Sequence, residues 1–308
     1  MTETVADILV VGGAGYIGSH VTKALRNSGR HPVVFDNLST GLRKNLFEDI
    51  PFIHGDLLVP EDIRSAMKGI RSVIHLAALK AAGESMEVPE RYALNNLNGT
   101  VHLLNAASAA GVRHFVFSSS AAVYGEPQYL PLDEAHPTEP ASFYGQTKLQ
   151  IEMLLVWYSR LKNMRYASLR YFNAAGYDPE GEIRGLEREP NNLLPIVLEA
   201  IVGKRRGVEV FGNDYETEDG SCIRDYIHVT DLADAHIRAL KYLEEEDRDL
   251  LVNLGTSKGL SVFQILETAR RVSGVEFPVM VGPRRKGDPA VVLSTAEKAE
   301  KLLGWSPH

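Results

Sequence analysis

The stretch Ile8-Leu-Val-Val-Gly-Gly-Ala-Gly-Tyr-Ile-Gly18 decides the fold, because it joins an apolar strand to a helix through a glycine-rich turn. Its glycines at 12, 15 and 18 have the spacing GxxGxxG. Gly12 permits the tight turn, Gly15 lets the backbone approach a pyrophosphate, and Gly18 lets the helix pack closely on the strand. The helix N-terminus then offers free N–H groups to phosphates. A plain glycine-rich turn is the alternative, but the strand-turn-helix context favours a dinucleotide site.

Two carboxylates downstream suit the same ligand. Asp36 ends the second strand, 18 residues after Gly18, where a carboxylate binds both hydroxyls of an adenosine ribose and repels a 2′-phosphate. Residues 37–39 supply no cation, which favours NAD over NADP. Asp56, in His54-Gly-Asp-Leu, is placed either to accept from the adenine amino group or to cap a turn, and position alone does not separate these alternatives.

The first half of the chain alternates short apolar runs with helical patterns. The runs predicted as strands are Ile8–Val11, Val33–Asp36, Phe52–His54, Val73–Leu76, Phe115–Ser118 and Ala167–Arg170. Helical patterns follow Ile17 and cover 89–110 and 144–162. Uninterrupted apolar strands suit a parallel sheet that is covered on both faces. The order predicts an α/β fold with a doubly wound parallel Rossmann-type sheet.

The second half reads as a smaller α/β substrate lobe. Helices are expected near 193–203, 230–246 and 261–273, and short strands near 208–211, 224–228, 251–254 and 277–281. We therefore predict a dinucleotide-binding domain at 1–171 and a substrate lobe at 172–308, with parts of 225–254 returning to the first domain.

Composition narrows the function classes. The chain has 308 residues, 44% of them hydrophobic and 24% charged, so a disordered chain is excluded. With a net charge of -7 and no apolar run of about 18 residues, we expect neither nucleic-acid nor membrane partners. A single cysteine, Cys222, excludes a cysteine-built metal site, and no metal is expected. The N-terminus resembles no signal peptide, so the expected location is the cytoplasm.

Tyr144 and Lys148 form the decisive pair for chemistry. In a helix, residues four apart share a face, so the lysine ammonium can lie close to the phenol. A nearby cation favours the phenolate, and we expect the pKa of Tyr144 to fall from about 10, which would make it a general base. Ser120 ends a strand where it can relay a substrate proton to Tyr144. The alternatives without a catalytic role are a surface Tyr/Lys pair and a turn made by the serines.

In this order, the glycine loop, the strand-end serine and the Tyr/Lys pair resemble the extended short-chain dehydrogenase/reductase superfamily. Further segments resemble its UDP-glucose 4-epimerase (UDP-galactose 4-epimerase) family over nearly the whole chain. These are GGAGYIGSH (12–20), DN (36–37), HLAALKAAGES (75–85), NNLNGT (95–100), SSSAAVYG (118–125), YFN (171–173), NNLLP (191–195), FGNDYETEDGSCIRDYIHV (211–229) and RRKGDPA (284–290).

The resemblance implies a role for each matching position. Ser120, Tyr144 and Lys148 would be catalytic. NAD would be bound by Gly12, Gly15, Tyr16, Ile17, Gly18, Asp36, Asn37, Asp56, Leu57, Leu76, Ala77, Ala78, Lys80, Asn95, Tyr144, Lys148 and Tyr171. The UDP-sugar would be bound by Lys80, Ser120, Tyr144, Asn173, Asn192, Leu193, Phe211, Arg224, Arg285, Asp288 and Val292. The two arginines suit a diphosphate, since a guanidinium forks onto anionic oxygens.

The implied activity is NAD-dependent interconversion of UDP-glucose and UDP-galactose through a 4-keto intermediate. A 4,6-dehydratase or a UDP-glucuronate decarboxylase would start with the same hydride transfer. Similar dehydratases carry acidic residues after the strand-end serine or threonine, where this chain has Ala121 and Ala122, so elimination is disfavoured. A non-catalytic NAD-binding regulator predicts loss of the Tyr/Lys pair, and both residues are present.

Three departures or extensions qualify the resemblance. Ala122 stands where many epimerases have threonine, and relatives usually continue beyond Leu303-GWSPH308 with a further helical segment. Val292 aligns with a position that gates the sugar's C2 substituent, so UDP-GlcNAc and UDP-GalNAc are expected as further substrates; simple strand packing is the alternative. The resemblance also implies a homodimer through helices 89–110 and 144–162, whose leucines and Trp157 lie on more than one face.

Overall fold

The structure, a computed structural model, describes residues 6–183, 190, 192–285 and 288–308. Within these ranges, seven strands form a parallel sheet in the order β10-β6-β5-β4-β1-β2-β3. They are β1 (Ile8–Val11), β2 (Pro32–Asp36), β3 (Phe52–His54), β4 (Ser72–His75), β5 (His114–Ser118), β6 (Arg165–Tyr171) and β10 (Leu250–Leu254). The order reverses between β1 and β4, which places a ligand crevice at their carboxyl ends. The predicted fold class is confirmed.

Helices cover both faces of this sheet. One face packs against α1 (Tyr16–Asn27), α8 (Val229–Glu246) and α10 (Glu297–Leu303), and the other against α2 (Pro60–Ala66), α5 (Gly99–Ala109) and α6 (Phe143–Lys162). Along β1, Ile8 and Val10 enter the first core, whereas Leu9 and Val11 enter the second. Double burial explains why the strand is apolar without interruption.

The remaining elements form a smaller lobe beside the carboxyl edge. Its central strand β9 (Ile223–His228) pairs with β7 (Asn173–Ala175), β11 (Gly259–Ser261) and β13 (Val291–Val292), while β8 (Val208–Phe211) pairs with β12 (Val279–Gly282). Apolar side chains of α7 (Leu193–Ile201), α9 (Val262–Ser273) and β8 share a core. Late segments of the chain return to the large sheet, where β10 pairs with β6 and the Trp305 side chain is fully buried. The boundary at 171/172 stays a prediction.

The helix predicted over 89–110 is divided. The structure has α4 (Pro89–Tyr92), a π-helical segment (Ala93–Asn98) and then α5, and a short α3 (Ala82–Ser85) precedes them. In the π-helical segment, the Asn96 amide accepts from the Leu79 N–H and donates to the Leu79 carbonyl, both at 2.9 Å. These hydrogen bonds tie the π-helical segment to a neighbouring loop. Single π-helical turns inside α-helices are frequent at functional sites. No helix in the described ranges is long and apolar enough to cross a membrane.

Candidate active site

A cleft of about 280 Å³ opens at the carboxyl ends of β1 and β4, where the strand order reverses. Every residue predicted to bind the dinucleotide lines it. These residues are Gly12, Gly15, Tyr16, Ile17, Gly18, Asp36, Asn37, Asp56, Leu57, Leu76, Ala77, Ala78, Lys80, Asn95, Tyr144, Lys148 and Tyr171. Ser120, Asn173 and Asn192 from the predicted substrate set line the same cleft.

The backbone at Gly12 and Gly18 leaves no room for a side chain. Gly12 has φ +86°, and a Cβ there would lie 2.7 Å from the Ala77 backbone nitrogen. A Cβ on Gly18 would overlap the carbonyl oxygen of Gly12, which itself accepts from the Gly15 N–H at 3.1 Å. Helix α1 begins directly afterwards with no acidic residue in its first turn. The helix N-terminus is therefore presented to the cleft with no acidic side chain from its own first turn beside it.

Asp36 is a buried carboxylate at the end of β2. It accepts from the Ala14 N–H at 3.0 Å and from the Leu38 N–H at 2.8 Å. Burial raises the pKa of Asp36, while these two backbone donors oppose the rise. Each oxygen already has one donor and keeps further lone pairs, which is the acceptor set that two ribose hydroxyls require.

Asp56 combines a turn with a contact in the cleft. Its Oδ1 accepts from the Leu58 N–H at 2.8 Å, and its Oδ2 accepts from the Asn37 side chain at 2.9 Å. It is not the cap of α2, whose N-cap residue is Val59. Asp56 therefore builds the turn and holds Asn37, and the adenine role stays a prediction.

Helix α6 brings the chemical pair together. Ser142 caps this helix by accepting from the Gly145 N–H at 3.1 Å, so Tyr144 and Lys148 both lie in its first turns. The Lys148 Nζ lies 5.8 Å from the centre of the Tyr144 ring and donates to the Ser118 carbonyl at 2.8 Å. The Tyr144 phenol contacts the Ser120 hydroxyl. A surface Tyr/Lys pair is excluded, because the lysine is buried at 3% exposure.

The direction of the pKa shift at Tyr144 differs from the prediction. Burial raises the pKa of Tyr144, and the hydrogen bond from Ser120 only partly opposes this rise. Burial lowers the pKa of Lys148 to about 7, against the attraction of Glu152. The predicted fall in the pKa of Tyr144 is therefore not produced by the groups of this chain. Desolvation disfavours both charged forms, and it outweighs the Ser120 hydrogen bond at Tyr144 and the attraction of Glu152 at Lys148.

The other predicted substrate residues lie outside the cleft lining, in the small lobe. Arg224 on β9 forms an ion pair with Asp288, and the Arg285 guanidinium lies 3.8 Å from the centre of the Phe211 ring. Leu193 is the first residue of α7, half-buried. Strand β9 connects the two groups of residues, because its Tyr226 pairs with cleft residue Asn173 and its Arg224 pairs with Val292.

The Val292 side chain packs against a small core formed by Val123, Tyr124 and Leu132. Strand packing, the alternative interpretation of this residue, is therefore present. The gating role stays a prediction.

Several cleft residues were not predicted. They are Val11, Phe35, Ser39, Thr40, Gly55, Leu79, Phe172 and Ala174. Ser39 and Thr40 follow the end of β2, so their hydroxyls could have been found by asking which polar residues trail each parallel strand. The others contribute apolar surface or backbone, for which the sequence has no distinct signal.

Comparisons with known proteins identify the family of this chain. The model of the NAD dependent epimerase/dehydratase family matches residues 8–255. A UDP-glucose 4-epimerase of Halalkalibacterium halodurans is 45% identical over 97% of this chain and 90% of its own.

Solved structures match at full length. UDP-glucose 4-epimerase from Brucella ovis in complex with NAD superposes with a TM-score of 0.95 at 42% identity, covering 99% of this chain and 94% of that one. The enzyme from Bifidobacterium longum in complex with NAD+ and UDP has a TM-score of 0.92 at 35% identity, covering 98% and 94%. The chain belongs to the NAD dependent epimerase/dehydratase family and, within it, to the UDP-glucose 4-epimerases.

Proposed function

We propose that this chain interconverts UDP-glucose and UDP-galactose as an NAD-dependent 4-epimerase. The observation that carries the proposal is the pair of Tyr144 and the buried Lys148 inside the cleft that the glycine loop borders, with the Ser120 hydroxyl in contact with the Tyr144 phenol. Relatives at 42–45% identity over nearly the whole chain carry this activity in their names.

The cleft fits NAD in its donors and in its shape. The lack of Cβ space at Gly12 and Gly18 makes a backbone cradle at the start of α1, which would hold the pyrophosphate. Asp36 would accept from the ribose hydroxyls. When bound, NAD supplies the acceptor and then the donor of the C4 hydride, so that net redox change is zero.

The chain's own residues handle the proton. Tyr144 takes the proton of the sugar 4-hydroxyl, directly or through Ser120, whose hydroxyl contacts the phenol. The Lys148 cation stabilises the phenolate form of Tyr144 that accepts this proton. On the return step, Tyr144 gives the proton back to the C4 oxygen of the 4-keto sugar, and return of the hydride to the opposite face of C4 would invert that centre.

The small lobe would anchor the UDP part of the substrate. Arg224 and Arg285 supply guanidinium groups for the diphosphate, which explains how a chain with a net charge of -7 binds an anion. Because the anchoring arginines lie on a different lobe from Tyr144, the hexose can turn while the nucleotide stays bound.

The turn after Ser120 disfavours the dehydratase reaction. Ala121 and Ala122 lie in this 3₁₀ turn (Ala121–Val123) and carry no proton donor for elimination of water. Incubation with UDP-galactose and analysis of the product discriminates the alternatives. UDP-glucose supports the epimerase. A 4-keto-6-deoxy sugar would indicate a dehydratase, and unchanged substrate would indicate a regulator.

We also infer a homodimer through helices 89–110 and 144–162. The structure modifies the apolar set behind this proposal: Leu103, Leu104 and Leu155 are buried in the core. The apolar side chains left more than half exposed on these helices and the preceding turn are Met86, Leu94, Met153, Trp157 and Leu161. Met153, Trp157 and Leu161 are spaced by four on α6 and therefore share one face of that helix, which suits packing against a partner helix. Sedimentation on dilution tests it, and a monomer at all concentrations would refute it.

We further propose that the protein works in the cytoplasm, where its one cysteine, Cys222, would stay reduced. Cell fractionation tests this location.

A further inference from the structure

The end of β5 contacts α6 in a regular register. Three consecutive serines, Ser118–Ser120, meet three α6 residues that are spaced by four, namely Tyr144, Lys148 and Glu152. The carbonyl of the first serine accepts from the Lys148 Nζ at 2.8 Å, the hydroxyl of the second donates to Glu152 Oε1 at 2.6 Å, and the hydroxyl of the third contacts the Tyr144 phenol. Glu152 is thus built into the same contact as the two reacting residues, although no catalytic motif predicts it.

Glu152 is a buried carboxylate at 4% exposure, and a buried cation holds it. Arg170 on β6 donates to its two oxygens from Nε at 2.9 Å and from Nη2 at 2.6 Å. The remaining Arg170 nitrogen, Nη1, donates to the Tyr124 hydroxyl at 3.0 Å, and that hydroxyl donates to Asn253 at 2.6 Å. A carboxylate with this many donors is fixed in position.

The groups around Lys148 come from several elements. His75 on β4, Tyr171 on β6 and His236 on α8 face this region. Burial lowers the pKa of His75 to about 3 and of His236 to about 4, and raises the pKa of Tyr171, so all three are neutral at pH 7.

Arg170 is already paired with Glu152. The charge of Glu152 attracts the Lys148 ammonium and opposes its desolvation.

We propose that Glu152 is a positioning residue for the epimerase reaction, and that it acts through Lys148. Its carboxylate, which Arg170 and Ser119 hold in place, keeps the Lys148 ammonium charged and aligned with the Tyr144 phenol. The inference rests on the proposed function for its meaning in catalysis, whereas the effect on Lys148 is a property of the chain alone.

The test is Glu152→Gln, followed by two readouts. Nuclear magnetic resonance of labelled lysine side chains, with Lys148→Met to identify the signal, should show Lys148 titrating at lower pH than in the parent protein. In epimerase assays with UDP-galactose, the alkaline limb of the pH profile should move to lower pH. Activity relative to the parent then falls as the pH rises, by about tenfold for each unit that the pKa of Lys148 moves.

Two further variants sharpen this result. Glu152→Asp keeps the charge but withdraws it by one methylene, so its Lys148 titration should lie between those of the parent and Glu152→Gln. It also carries the test alone if Glu152→Gln does not fold. Asp249→Asn is the matched control, because Asp249 accepts from Ser159 at 2.6 Å near the far end of α6. It should leave the Lys148 titration unchanged.

Failure of the positioning role and failure of the proposed function give different results. An unchanged Lys148 titration in the folded Glu152 variants would overturn the positioning role, even with an active parent enzyme. A parent protein that produces no UDP-glucose refutes the proposed function instead, and the titration of Lys148 still reports on Glu152.

Discussion

Gly12 offers a direct test of how closely the backbone must approach the cofactor. Its φ of +86° disfavours any side chain, and a Cβ would lie 2.7 Å from the Ala77 nitrogen, inside the 3.0 Å that Cβ atoms keep from other atoms. Gly29 provides the control, because its φ is +74° and a Cβ there would meet nothing within 4 Å. Comparing the two alanine variants separates the cost of the dihedral angle from the cost of the overlap.

The expected losses of stability follow from the dihedral strain and from the overlap with Ala77. For Gly29→Ala we expect a loss of about 1–2 kcal/mol in the free energy of unfolding and unchanged NAD content. For Gly12→Ala we expect the same strain plus about 1–3 kcal/mol for the overlap with Ala77. Ala77 lines the cleft, so its displacement should also weaken NAD binding, by about 5- to 150-fold if the overlap energy is lost from the complex.

The assay is thermal unfolding together with the nucleotide released from each purified variant on denaturation, measured by ultraviolet spectrum and mass. A Gly12→Ala protein that retains as much NAD as Gly29→Ala, at equal loss of stability, would refute the argument from close approach.

Three other substitutions test the remaining parts of the site. Tyr144→Phe removes the proton path and should lower kcat with UDP-galactose by about 10²- to 10⁴-fold, while bound NAD is retained; near-parental activity would contradict the base assignment. Asp36→Ser removes the carboxylate that repels a 2′-phosphate, so competition binding should show that the preference for NAD over NADP has fallen. Val292→Tyr should abolish turnover of UDP-GlcNAc and spare UDP-galactose, and equal losses on both substrates would show that Val292 only packs the strand.

The sequence predicted those features that depend on local geometry. The glycine spacing, the apolar strands and the four-residue interval between Tyr144 and Lys148 are all encoded within a few neighbouring residues. Their consequences follow from backbone dihedrals and helix periodicity alone. For the same reason, the residues that trail β1, β2 and β4 lie together at one edge, since parallel strands end on the same side of a sheet.

What escaped prediction depends on the tertiary structure. The burial of the Trp305 side chain against the core of the large sheet is a contact between distant segments of the chain. The π-helical segment at 93–98 is associated with a bond from Asn96 to a loop 17 residues away. Glu152 has a local signal in its spacing from Lys148, but its meaning depends on Arg170, which the sheet brings next to it.

The direction of the Tyr144 pKa shift is the most instructive of these cases. A neighbouring lysine suggests a lowered pKa, yet burial disfavours phenolate and ammonium alike, so the bare chain holds Tyr144 as a phenol at neutral pH. An additional cation beside the ring would favour its ionisation, and an oxidised nicotinamide carries a positive charge. Because coupling between binding and ionisation is reciprocal, the phenolate must favour the oxidised cofactor by the same factor. The desolvation that suppresses the base therefore ties its formation to the presence of NAD, and the base forms where a hydride acceptor is available.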